Sequence, residues 1–193
     1  MPEHTFQCYL TRHMRGLGLE GSGAWVRVSD GLIDLTGIDG GQVRIRLDDI
    51  ARIRVGFLDS KGRSYETRIW TPGAEKPMRL TPTIATLGAY GHAIRFVTSQ
   101  MAGHQRQDRI ERGYSKFDAI FGPAMMGVLV LAAMGISIFA LGNEPWWGRL
   151  LAPAIPLLIF GLLLWLGVSR YWPRPIRQLS DLDVQLPPTK AFR

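Results

Sequence analysis

From Ala24 onward, apolar and polar residues alternate one for one in short runs separated by turn-forming residues. Ala24–Ser29 and Leu32–Leu35 flank Asp30-Gly31, the kind of pair expected at a tight hairpin. A looser turn, Gly37-Ile38-Asp39-Gly40-Gly41, leads into Val43, Ile45 and Leu47, which alternate with Arg44 and Arg46. The same alternation returns in Ile53, Val55 and Phe57 against Arg52, Arg54 and Gly56. A period of two predicts half-buried antiparallel strands. Ser60-Lys61-Gly62 turns the chain into Tyr65–Trp70, Pro72-Gly73 breaks it again, and Met78–Leu80 reads as a last edge strand. At Leu87 the period changes: Leu87, Tyr90, Ile94, Val97 and Met101 recur at threes and fours, which marks one amphipathic helix. A sheet with one apolar face needs a cover, and this helix is the candidate of the right length. The expected fold of residues 24–103 is therefore α+β, a curved antiparallel sheet capped by one carboxy-terminal helix.

Beyond this region the pattern loses its polar positions. Residues 119–141 carry no charge, and neither do residues 150–168. The first run would make a helix of ~34 Å and the second one of ~28 Å, against a hydrocarbon core of ~30 Å. Buried core helices seldom run so long without a polar face, so the pattern predicts a transmembrane hairpin. Its helices cover 119–141 and 150–168, joined by an extracytoplasmic loop at 142–149. Trp146 and Trp147 on one side, Tyr171 and Trp172 on the other, fit interfacial aromatic belts. Arg106, Arg109, Arg112 and Lys116 precede the first run and Arg170, Arg174 and Arg177 follow the second, while the loop holds only Arg149. The positive-inside rule then places both termini in the cytoplasm of a two-pass inner-membrane protein. Gly127, Ala133, Gly135 and Ser137 supply small residues at spacings that let a second helix approach.

Seven segments follow: 1–23 ahead of the domain, 24–103, a basic link at 104–118, the two helices with their loop, and a tail at 169–193. The average over these parts misleads, because a mean hydropathy of +0.03 and 20% charged residues describe neither. The net charge of +7 comes mostly from 1–117, where seventeen basic residues meet twelve acidic ones. In a soluble chain such an excess raises nucleic acid as a partner. Here the charge rule for membrane insertion accounts for it, so no nucleic acid is expected. The single cysteine, Cys8, excludes an intrachain disulfide. The amino terminus lacks the basic and apolar regions of a signal peptide.

The run Trp25-Val-Arg-Val-Ser-Asp-Gly-Leu-Ile-Asp-Leu, then Val43-Arg-Ile-Arg-Leu-Asp-Asp-Ile-Ala-Arg-Ile-Arg-Val, with Tyr90 to Met101 as terminal helix, resembles bacterial pleckstrin-homology-like domains. The resemblance covers about 24–103. It implies a binding or scaffolding module of the kind often fused to membrane helices, and it carries no catalytic signature.

Chemistry-bearing motifs are few. Gly16-Leu-Gly18-Leu-Glu-Gly21 matches the dinucleotide fingerprint G-x-G-x-x-G, but a strand follows where that site needs a helix, so an entry loop is expected. His4, His13, His92 and His104 have no metal-ligand spacing, and no cofactor is implied. Asp48-Asp49 suits a turn or cap better than an acid–base pair. Arg44, Arg46, Arg52 and Arg54 share a side of their strands by the two-residue period, and would form a basic stripe if those strands pair. Arg44-Ile-Arg46 also resembles the basic pair with which some pleckstrin-homology domains hold inositol phosphates, Arg27 standing in for an absent lysine. These five arginines are the candidate lipid-binding residues, set against the alternative of a solvated sheet face. The sequence thus reads as a non-enzymatic integral membrane protein presenting a binding module to a protein partner or the anionic leaflet of the bilayer. An alternative is an accessory subunit of a larger membrane complex, recognised through its hairpin.

Overall fold

The computed structural model describes residues 3–59, 63–114, 116–140, 154, 157–162, 164–166, 168–169 and 172–188. They form two compact units, one of Met1–Tyr114 with Pro173–Arg193 and one of Ser115–Trp172.

In the first unit, β1 (His4–Tyr9), β2 (Gly23–Ser29), β3 (Leu32–Gly37) and β4 (Gln42–Arg46) pair in sequence order as an antiparallel sheet. The short helix α1 (Arg12–Gly16) lies between β1 and β2. Alternation sets the faces: Phe6, Cys8, Val26, Val28, Ile33, Leu35 and Ile45 are buried, while Trp25 and Arg27 look outward. Two residues, Asp30 and Gly31, separate the last paired positions, Ser29 and Leu32. A second sheet has the order β7-β6-β5-β8-β9, with β5 at Arg52–Asp59, β6 at Arg63–Trp70, β7 at Met78–Leu80, β8 at Ile110–Arg112 and β9 at Arg174–Pro175. All its pairings are antiparallel except β5 with β8.

The single curved sheet expected from the alternation is thus corrected to two sheets. The reason lies between β4 and β5. Leu47–Asp49 form a tight 3-10 turn that buries Leu47 and then Ile50, so the chain dives into the core instead of carrying the same surface onward. Helix α2 (Leu87–Gly103) packs its Tyr90, Ile94, Val97 and Met101 face inward. Tyr90 ties both sheets to it: its ring meets Phe6 of β1 edge-on at 5.3 Å, and its hydroxyl shares a 2.7 Å hydrogen bond with Thr67 of β6.

The segment 173–188 completes this unit. It adds β9 and buries Ile176, Leu182 and Leu186 in the core. Gln185 Oε1 accepts the backbone N–H of Phe57 at 2.9 Å, and Arg95 of α2 reaches Asp183 at 3.1 Å and the carbonyl of Pro187 at 3.2 Å.

The second unit contains α3 (Lys116–Ala140). Among the described residues no helix is long and apolar enough to cross a membrane. That overturns the expected transmembrane hairpin, the two-pass inner-membrane placement with cytoplasmic termini, and the integral-membrane reading in both its forms. The expectation equated an uncharged run with a span, whereas a span needs ~20 consecutive apolar residues in one helix.

Candidate functional site

The five candidate arginines are divided between the two sheets. Arg27 on β2 and Arg44 on β4 flank Asp34 of β3 in one cross-strand row. Arg44 Nε donates to Asp34 Oδ1 at 2.7 Å, and Arg27 pairs with Glu3 at 2.6 Å. Arg46 sits exposed at the end of β4, opposite Leu32. Arg52 and Arg54 belong to the other sheet, where Glu111 of β8 takes both at 3.6 and 2.7 Å and Trp70 of β6 lies beneath them at 4.0 and 5.1 Å. Arg54 is only 11% exposed in its side chain. Beside it, Glu66 and Arg68 form a buried ion pair, with the Tyr114 ring 4.6 Å from the Arg68 guanidinium and the Tyr114 hydroxyl donating to Glu66 at 3.4 Å. Arg44, Arg46, Arg52 and Arg54 therefore make no single stripe.

Unpaired positive charge collects elsewhere. The end of β1 is held beside the end of β7 by the backbone: Tyr9 N–H donates to the Thr81 carbonyl at 2.9 Å, and Cys8 bridges Pro82. Thr11 then caps α1 by accepting the Met14 N–H at 3.3 Å, and Met14 is fully buried, which turns Arg12 and His13 outward. On β7, Met78 and Leu80 point into the core, so Arg79 faces out. Arg12, His13, Lys76 and Arg79, with Leu17 and Pro77, line one open depression of about 880 Å³. No carboxylate lines it, and Arg12, Lys76 and Arg79 enter no ion pair among the described residues. Like charges gathered this way repel one another.

Cys8 is buried, and desolvation pushes its thiol up to about 12, which keeps it protonated and unreactive. Burial also raises Tyr90. Among the described residues no group of three or more His, Cys, Asp or Glu could hold a metal ion. Trp146, Trp147 and Tyr171 lie outside the described residues, while Trp172 is half-buried and its N–H donates to the Val168 carbonyl at 3.1 Å. Of the small residues proposed for helix packing, Gly127 lies where an added Cβ would meet the Phe160 ring at 2.8 Å. Gly135 faces open space, and the side chains of Ala133 and Ser137 lie outside the described residues. Of the glycine motif, Gly16 ends α1 and only the rest forms a loop into β2, against which Gly41 lies so close that a Cβ there would meet the Gly18 carbonyl at 1.9 Å.

No family model, curated protein or solved structure matches the chain. The pleckstrin-homology-like resemblance is corrected accordingly. It rested on an order of strands and a helix, and neither a family match nor the hairpin that completed it accompanies that order.

Proposed function

We propose that the unit formed by Met1–Tyr114 and Pro173–Arg193 is a non-enzymatic binding module for an anionic partner, with anionic lipid headgroups as that partner. The observation that carries this reading is the depression between α1 and β7, where Arg12, Lys76 and Arg79 converge without a carboxylate. Each basic residue near an anionic surface contributes ~1 kcal/mol, so three held in one place suffice for selective though salt-sensitive binding.

The test is flotation of the full chain with vesicles of phosphatidylcholine alone or with added phosphatidylglycerol. The anionic vesicles should retain more protein, and the excess should shrink as salt rises. Replacing Arg12, Lys76 and Arg79 together by glutamine should remove most of that excess, about a hundredfold in affinity at ~1 kcal/mol per residue. An excess that survives the triple replacement would refute the assignment.

A further inference from the structure

The outer face of the first sheet carries a second, chemically different site. Trp25 stands near its middle, 46% exposed, with Thr36 and then Gln42 beside it across the strands. The adjacent row is Arg27, Asp34, Arg44. Together with Thr5 these six line a shallow depression of about 370 Å³. A lone exposed tryptophan is unremarkable on a protein surface. What marks this one is its surround: two guanidinium groups, a carboxylate, a carboxamide and a hydroxyl, each able to donate or accept hydrogen bonds at the rim of an indole face.

The charges here are already matched. Arg44 is held by Asp34 and Arg27 by Glu3, so the two arginines and two carboxylates sum to zero. A polyanion gains little at such a face, in contrast to the depression by α1. The pairing also fixes the groups in place. Arg44 gives Nε to Asp34, and its terminal nitrogens make no other bond among the described residues. The side chains of Thr36 and Gln42 likewise make none. A neutral polyol suits this arrangement: its C–H face lies on the electron-rich indole, and neighbouring hydroxyls meet planar donors and acceptors pairwise.

We propose that the Trp25 face binds a neutral carbohydrate. Saturation-transfer NMR of the full chain with cellotetraose, maltotetraose, chitotetraose and mannotetraose tests it, with oligouridylate as the stacking ligand of the opposite charge class. At least one neutral oligosaccharide should show transfer to its ring protons, with a Kd in the millimolar range or below. Trp25→Ala should weaken it about tenfold or more, the loss of one aromatic platform. Gln42→Ala, which leaves the sheet core untouched, should weaken it by a smaller factor. The glutamine variants of Arg12, Lys76 and Arg79 should leave it unchanged, which separates this site from the anion site. Absence of transfer from all four sugars up to about 10 mM, a concentration already weaker than any useful affinity, overturns the proposal. So does binding that survives both Trp25→Ala and Gln42→Ala, or binding of oligouridylate in place of the sugars.

Discussion

The outer faces of the two sheets start from the same kind of sequence, arginines alternating with β-branched residues, and end in opposite conditions. On the first sheet Arg27 and Arg44 are exposed and meet carboxylates at the surface. On the second, Arg54 and Arg68 are nearly enclosed by Glu111, Glu66, Trp70 and Tyr114. The cover comes from chain that arrives late: β8 lies parallel beside β5, and Tyr114 packs against Gly56, where a Cβ would meet its ring at 3.0 Å. An arginine's role is thus decided by what is laid over its strand, and the period of two is silent on that point.

The two faces should differ most at Glu66. Removing one member of a buried ion pair leaves the other desolvated, so Glu66→Ala should cost about 3–5 kcal/mol in urea unfolding. Asp34→Ala, which cuts the equivalent pair on the exposed face, should cost below about 1 kcal/mol. Equal costs would mean the two faces are not differently solvated. Between these extremes stands Gln185→Ala. It deletes a buried side chain's hydrogen bond to the β5 backbone and should cost about 1 kcal/mol, with faster hydrogen exchange along β5 as the local sign.

The smallest effect is a pH dependence. The backbone N–H groups of Arg177 and Gln178 donate to Asp181, and the nearby Arg112 and Arg177 charges add to their pull, so its carboxyl titrates below the usual carboxylate range. Its unfolded form binds protons more readily, so the stabilisation is complete above the unfolded value of ~3.9 and fades as pH falls through the lower folded value. Asp181→Asn should therefore flatten the acid limb of the stability curve and leave its slope near neutral pH unchanged.

The elements with a clear period were legible in the sequence. β2 to β5 and α2 follow directly from where Val26, Val28, Ile33, Leu35, Ile53, Val55, Tyr90 and Ile94 fall. β1 was missed although Phe6 and Cys8 alternate with Thr5 and Gln7, because two inward residues without a flanking turn are too short a signal. β8 and β9 have three and two residues and no period of their own; their pairing joins positions about sixty residues apart. The basic depression had no local signal at all. Arg12 and Arg79 are distant in the chain, and only the alignment of the end of β1 with the end of β7 brings them to one place.

Anion binding is proposed to reside in that depression and not on the paired arginines of the first sheet. It is tested most directly by reversing charge at each location and comparing retention on phosphatidylglycerol-containing and neutral vesicles at low salt. Lys76→Glu with Arg79→Glu should abolish the preference for anionic vesicles, whereas Arg27→Glu with Arg44→Glu, which lowers the net charge equally but alters no residue lining the depression, should leave most of it. Loss of the preference in the second variant, with retention in the first, would contradict it.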